Sequence, residues 1–209
     1  MLIKENSLVL FQGDSITDWG RNREDGDNLG AGYAMITAAW FGALYPELKV
    51  KFLNRGIGGD RTVDLKTRWQ RDCLDLKPDL ISILIGINDT WRKYDNNDPT
   101  TKEEYKASYH FLLTEIRNKL NAQIILCEPF LLPVTEAQKK QWREDLNPKI
   151  DVVKELAREF DAIYLPFDEI FATATTKQPP EYWASDGVHP TPAGYGLMSQ
   201  HWLKAAKVI

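Results

Sequence analysis

The chain has 209 residues, of which 43% are hydrophobic and 27% charged, a composition typical of a globular protein with an ordinary core. Its formal net charge is −4 and no run of Lys and Arg appears, which argues against nucleic acid or an anionic membrane as a partner. Its two cysteines, Cys73 and Cys127, are too few for a disulfide framework or a four-cysteine zinc site. We therefore expect one domain over residues 1–209, with reduced thiols and no metal.

The N-terminal residues contain only a five-residue apolar stretch, Ser7 to Phe11. The apolar core of a signal peptide needs roughly 7–15 residues, and a membrane-spanning helix needs ~20. Neither is present in the sequence, so we expect a cytoplasmic protein.

Five short apolar runs alternate with longer amphipathic segments along the chain. The runs lie at residues 8–11, 50–53, 80–85, 124–127 and 162–165. They are rich in Leu, Ile and Val, as in strands that are buried on both faces of a parallel sheet. The segments between them predict helices over residues 32–44, 62–75, 101–120, 148–160 and 193–208. This alternation predicts a three-layer α/β/α sandwich around a five-stranded parallel sheet.

Several boundaries can also be predicted. Thr100 and Glu103 have the spacing of a capping box for the helix over residues 101–120. Residues 128–147 and 173–180 are expected to be long surface excursions. Residues 21–32 and, again, 128–147 are the candidate segments for closing over a ligand.

The Gly13-Asp14-Ser15 triplet directly follows the first predicted strand. Because the carboxyl ends of parallel strands open into the binding crevice, Ser15 is expected where active sites form, beside N–H groups that could stabilise an anion. Gly, Asp and Ser are also turn formers, so the triplet taken alone equally fits a simple strand-to-helix turn.

Two further polar segments end the second and third predicted strands. Residues 54–60 hold three glycines in four positions, which lets the backbone turn sharply and point N–H groups into a concavity. Residues 86–89 include Asn88, whose side-chain amide can donate to a developing oxyanion. Taken singly, these segments also fit a glycine-rich loop and an Asx turn.

Of the three histidines, only His189 falls in a predicted loop, three residues after Asp186. This spacing lets the carboxylate hold the tautomer of the imidazole while the other ring nitrogen faces a nucleophile. His110 and His201 lie within helical patterns and are expected to be structural. The G-x-S-x-G elbow is absent, which disfavours the α/β-hydrolase fold.

Taken together, the four segments resemble the SGNH, or GDSL, hydrolase family, whose name stands for the Ser, Gly, Asn and His found here as Ser15, Gly59, Asn88 and His189. The resemblance covers nearly the whole chain and implies a flavodoxin-like serine esterase that requires no metal or organic cofactor. It implies that Ser15 is the nucleophile, with His189 and Asp186 completing a catalytic triad.

The resemblance also implies an oxyanion hole formed by the backbone N–H groups of Ser15 and Gly59 with the side-chain amide of Asn88. Gly58 precedes Gly59 directly. The choice between these two glycines stays open at the level of sequence.

The segments GDSITD at residues 13–18 and GINDTWRKYD at residues 86–95 are similar to the intracellular acetylxylan esterases of bacilli. This similarity implies a small-molecule ester substrate, specifically an acetylated sugar such as a xylo-oligosaccharide, and a homo-oligomeric protein. Aromatic faces near the catalytic segments suit sugar rings and acyl chains, and they equally fit core walls or an oligomer contact. The candidate substrate-binding residues are Asp14, Trp19, Trp91 and Trp183.

Two other functions are compatible with these features. A lysophospholipase or thioesterase would accept long acyl groups, although no basic amphipathic helix favours membrane-borne lipid. An inactive carbohydrate-binding scaffold could share the fold, although it would need no aligned nucleophile and base.

Overall fold

The structure is a computed structural model that describes residues 1–209 and contains five strands. They are β1 (Leu8–Gly13), β2 (Lys51–Asn54), β3 (Leu80–Leu84), β4 (Gln123–Cys127) and β5 (Ile163–Leu165). All neighbouring strands pair in parallel in the order β2-β1-β3-β4-β5. The strand order therefore reverses beside β1, which places the binding crevice of such a sheet at the carboxyl ends of β1 and β3.

Nine α-helices connect and flank the strands. They are α1 (Ser15–Asp18), α2 (Tyr33–Leu44), α3 (Thr62–Asp72), α4 (Ile87–Asp95), α5 (Lys102–Lys119), α6 (Arg143–Glu159), α7 (Phe167–Ala174), α8 (Pro180–Trp183) and α9 (Pro192–Ala205). None of them is both long enough and apolar enough to cross a bilayer.

Alternate residues along each strand enter two separate cores, one on each face of the sheet. Val9 and Phe11 join a cluster of 28 buried residues that includes apolar side chains of α2, α7 and α9. Leu10 joins a second cluster, of 21 buried residues, packed against α3, α5 and α6. This arrangement confirms the predicted three-layer α/β/α sandwich with a five-stranded parallel sheet.

The boundaries of α5 correct the predicted capping box by one residue. The N-cap is Thr101, whose Oγ1 accepts the Glu104 N–H at 3.2 Å, and a carboxylate oxygen of Glu104 accepts the Thr101 N–H at 2.9 Å. Thr100 and Glu103 have the same spacing, so the sequence pattern is ambiguous between the two registers. In the structure Thr101 has extended backbone and the helix begins at Lys102, so Thr101 is the cap.

Residues 128–147 are not the surface excursion that the sequence predicted. Phe130, Leu131 and Leu132 are buried, and helical backbone begins at Glu136 and continues into α6, with Pro148 inside the helix. The proline removes one backbone hydrogen bond, but the ion pair between Asp145 and Lys149 spans the same turn. In addition, α3 ends at Asp72, before the predicted boundary at residue 75.

The capping box can be tested by comparing two adjacent threonines. Thr101→Ala removes the N-cap of α5 and is expected to lower the free energy of unfolding by about 1 kcal/mol. Thr100→Ala removes no cap and is expected to change it by less than about 0.5 kcal/mol. Urea unfolding of both variants measures the difference, and equal losses would contradict the assigned register.

Candidate active site

Ser15 stands where β1 meets α1, at the carboxyl edge of the sheet. A Cβ at Gly13, which has a φ of +159°, would lie 2.3 Å from the Leu84 carbonyl oxygen, so only glycine allows this turn beside β3. Asp14 caps α1 by accepting the Ile16 N–H at 3.0 Å. The backbone N–H of Ser15 has no acceptor within the protein and is available at the start of the helix.

Ser15, His189 and Asp186 form a continuous hydrogen-bonded chain. The Ser15 Oγ lies 2.9 Å from Nε2 of His189, and Nδ1 of the same ring lies 2.6 Å from Oδ2 of Asp186. The other carboxylate oxygen of Asp186 accepts the backbone N–H groups of Val188 at 2.9 Å and His189 at 2.7 Å. The carboxylate thus orients both the ring and the loop that carries it.

These contacts also set the charge states of the pair. Burial opposes ionisation of Asp186, but hydrogen bonds from the His189 ring and from two backbone N–H groups hold its pKa at about 2. The hydrogen bond from His189 to Asp186 raises the pKa of the imidazole above its ordinary value, against the opposing effect of burial. Asp186 is therefore a stable anion that can stabilise a protonated His189.

The loop that carries this pair is held by the segment before α6. Gln138 donates from Nε2 to the Asp186 carbonyl at 2.8 Å, and the Leu132 N–H donates to the Gly187 carbonyl at 2.8 Å. Gly187 has a φ of +85°, and a Cβ there would lie 2.6 Å from the Leu132 carbonyl oxygen. No local sequence pattern pointed to Gln138, because its contact joins residues 48 positions apart.

The glycine loop after β2 distinguishes Gly58 from Gly59. The Gly58 N–H is already bonded to Oδ2 of Asp18 at 3.0 Å, whereas the Gly59 N–H has no acceptor within the protein. A Cβ at Gly58 would lie 3.7 Å from the Cβ of Ser15, so the loop lies directly beside the serine. Gly59 has a φ of +90°, a conformation that favours glycine.

Asn88 lies in the first turn of α4, after β3, and is almost fully buried. Its Nδ2 donates one hydrogen bond to the Asp60 carbonyl at 3.0 Å. A primary amide carries two hydrogens, so this bond orients the amide and leaves one donor free. The neighbouring Asp89 accepts the Thr62 hydroxyl at 2.7 Å and thereby joins α4 to α3.

The four predicted substrate contacts have different environments. Trp19 is 41% exposed with its ring centroid 5.6 Å from that of His189, and the Trp91 ring lies 6.0 Å from His189. Trp183 instead borders two surface grooves with Leu197, and neither groove is lined by a residue of the hydrogen-bonded chain. Of the three tryptophans predicted to contact substrate, only Trp19 and Trp91 therefore lie beside His189.

Asp14, the fourth predicted substrate contact, is 1% exposed and lies below the surface of the site. Its Oδ2 is buried without a hydrogen-bond partner, and burial raises the pKa of this carboxyl to about 7. Asp14 has no surface to offer a substrate, because its side chain caps α1 from beneath.

The remaining histidines and both cysteines lie outside this site. His110 is paired with Glu159 on the surface of α5 at 2.9 Å, and His201 lies on α9. Cys73 and Cys127 are buried and unpaired, and burial raises the pKa of the Cys127 thiol to about 12. No group of three or more His, Cys, Asp or Glu side chains is arranged to hold a metal ion.

Comparisons with known proteins agree with this geometry. The sequence model of the GDSL-like lipase/acylhydrolase family matches residues 11–197. An acetylxylan esterase from Geobacillus stearothermophilus is 36% identical over 214 aligned positions, which cover 98% of this chain and 95% of the relative.

Two solved structures extend the agreement to the whole backbone. A GDSL-like lipase from Parabacteroides merdae superimposes with a TM-score of 0.95 at 37% identity, covering 99% of this chain and 98% of that one. The crystal structure of an acetylxylan esterase from Geobacillus stearothermophilus gives a TM-score of 0.91 at 34% identity, covering 99% and 96%.

The buried carboxyl of Asp14 leads to a prediction for stability against pH. The pKa of Asp14 in the folded protein, about 7, exceeds the ordinary value of 3.8. The free energy of unfolding therefore falls as pH rises between these two values. Asp14→Asn keeps a capping side chain and removes this decrease. Between pH 5 and pH 8, urea unfolding should show the variant becoming progressively more stable relative to the wild type.

Asp72→Asn is the matched control for this experiment. Burial opposes ionisation of Asp72, but hydrogen bonds from Arg71 and Arg68 lower its pKa below 3.8, so it is ionised in the folded and the unfolded protein throughout this range. The difference in free energy of unfolding between Asp72→Asn and the wild type should not change with pH. A pH-independent difference for Asp14→Asn as well would contradict the buried, protonatable state of Asp14.

Proposed function

Because the chain belongs to the GDSL-like lipase/acylhydrolase family, we propose that it is an esterase that removes acetyl groups from carbohydrates such as xylo-oligosaccharides, with Ser15 as its nucleophile. The observation that carries the proposal is the hydrogen-bonded chain from Ser15 through His189 to Asp186, with distances of 2.9 and 2.6 Å. A binding protein without activity would have no use for a hydroxyl aligned with a base in this way.

In the proposed mechanism, His189 takes the proton of Ser15 as the Oγ attacks the ester carbonyl. Asp186 stabilises the imidazolium that forms, since its low pKa keeps it ionised. His189 then returns the proton to the leaving alcohol, and an acyl-enzyme remains on Ser15. A water molecule, activated by the same imidazole, releases the acid and restores the serine.

The developing oxyanion is assigned to three donors. The backbone N–H groups of Ser15 and Gly59 have no acceptor within the protein, and Asn88 keeps one amide hydrogen after its bond to Asp60. Donors that are already oriented lower the energy of the tetrahedral intermediate without reorganisation. Gly58 is not assigned to this role, because its N–H is bonded to Asp18.

The acetyl-sugar assignment rests on the acetylxylan esterase relative and on two aromatic rings. Trp19 and Trp91 lie next to His189, where flat faces can pack against the C–H edges of a sugar ring. The similarity to a GDSL-like lipase favours longer acyl esters as the second candidate substrate class. The cytoplasmic location, the homo-oligomer, the single domain over residues 1–209 and the absence of a cofactor stay predictions.

The role of Ser15 can be tested with p-nitrophenyl acetate. Ser15→Ala removes the attacking oxygen and is expected to lower kcat by about 10⁴-fold or more. Ser185→Ala is the matched control, because this exposed serine lies beside Asp186 in sequence and outside the hydrogen-bonded chain. Wild-type activity in Ser15→Ala would contradict the proposed nucleophile.

The substrate class can be tested with a series of p-nitrophenyl esters and with acetylated xylo-oligosaccharides. We expect acetate to be preferred over octanoate, and we expect Trp19→Ala to lower kcat/KM for the acetylated sugar by about 3- to 10-fold. Trp40→Ala, which alters a more exposed tryptophan on α2, should leave this value unchanged. A preference for octanoate would favour the lipase-like alternative.

A further inference from the structure

The glycine loop after β2 is bound tightly to the first turn after Ser15. Asn54 donates from Nδ2 to the Thr17 carbonyl at 2.6 Å and accepts the Gly56 N–H at 2.8 Å. A Cβ at Gly56 would lie 2.6 Å from the backbone nitrogen of Asp18, so the two backbones are in direct contact. The position of this loop relative to Ser15 is thus built into the fold.

Asp18 forms the last of these attachments, next to the proposed oxyanion donor. Its Oδ2 accepts the Gly58 N–H at 3.0 Å. Gly58 is the second residue of a turn over residues 57–60, in which the Asp60 N–H donates to the Ile57 carbonyl at 3.2 Å. Gly59 is the third residue of that turn, with the positive φ that a type II turn requires there. Anchoring Gly58 therefore fixes the orientation of the turn that presents the free Gly59 N–H.

Two arginines hold the Asp18 carboxylate in place. Arg21 donates from Nε to Oδ1 at 3.3 Å, and Arg23 bonds to Oδ2. Arg21 is itself almost buried and also donates to the Gly56 carbonyl at 2.8 Å, so it reinforces the same loop. An unneutralised carboxylate beside a developing oxyanion would oppose catalysis, and the two guanidinium groups offset this charge.

On the premise of the proposed function, we propose that Asp18 is a positioning residue of the oxyanion hole. By accepting the Gly58 N–H, it orients the glycine turn so that the Gly59 N–H faces the oxyanion. Asp18 contacts neither the substrate nor the reacting atoms, and it acts through the backbone of the loop. Its effect therefore falls on stabilisation of the transition state and leaves substrate binding in the ground state largely unchanged.

The test compares Asp18→Ala, which removes the acceptor of the Gly58 N–H, with Asp72→Ala. Both carboxylates have side chains that are 11% exposed and pair with two arginines, but Asp72 accepts no backbone N–H. With p-nitrophenyl acetate, Asp18→Ala should lower kcat by about 10- to 100-fold with KM within about twofold of wild type. Asp72→Ala should keep kcat within about twofold.

A second readout separates positioning from a general loss of structure. Phenylboronic acid forms a tetrahedral adduct with an active-site serine, which places an oxygen in the oxyanion hole. Its inhibition constant should rise in Asp18→Ala by about the same factor by which kcat/KM falls, and should not change in Asp72→Ala. An unchanged inhibition constant, or a kcat equal to that of the control, would overturn the inference.

The experiment also distinguishes this inference from the proposed function. If Ser15→Ala keeps its activity on the same ester, the proposed function fails; if only Asp18→Ala is unaffected, the inference alone fails. Should Asp18→Ala not fold, Asp18→Ser keeps a polar side chain whose oxygen lies one bond short of the position that accepts the Gly58 N–H. A kcat reduced about 10-fold at unchanged KM would then support the inference, and a wild-type kcat would overturn it.

Discussion

The close packing of three loops at the carboxyl edge of the sheet is the constraint on which the site depends. Strands β2, β1 and β3 end side by side, and their loops meet with almost no space between the backbones. A Cβ at Gly13 or at Gly56 would lie 2.3 Å or 2.6 Å from a neighbouring backbone atom. This packing fixes the N–H groups near Ser15, while the loop that carries His189 reaches the serine from 174 positions away.

Carboxylates of one chemical type carry out different tasks in this small volume because their surroundings differ. Hydrogen bonds from His189 and from backbone N–H groups overcome the effect of burial and hold the pKa of Asp186 at about 2. Burial without a partner for one oxygen raises the pKa of Asp14 to about 7, and burial raises that of Asp89 to about 6. The charge of Asp186 thus lies on the side of the imidazole that faces away from Ser15.

Local signals in the sequence predicted which strands and helices form better than they predicted where the helices begin and end. The capping-box spacing at Thr100 recurs one residue later at Thr101, and only the backbone conformation in the folded chain, which is extended at Thr101, distinguishes them. Pro148 lies inside α6, where tertiary contacts keep the helix intact despite the lost hydrogen bond. An N-cap is worth about 1 kcal/mol and a proline inside a helix costs about 3 kcal/mol, so contacts in the folded chain can outweigh either local preference.

The sequence by itself determined the alternation of strands and helices, the three-layer fold and the four segments that contain the candidate site residues. These features follow from periodicity and from motifs read along the chain. Only the tertiary structure decided that the Gly59 N–H is free while that of Gly58 is bonded to Asp18, that Asp14 is buried, and that Trp183 lies away from His189. The physical reason is that hydrogen-bond partners and burial depend on contacts between distant segments, which no local pattern encodes.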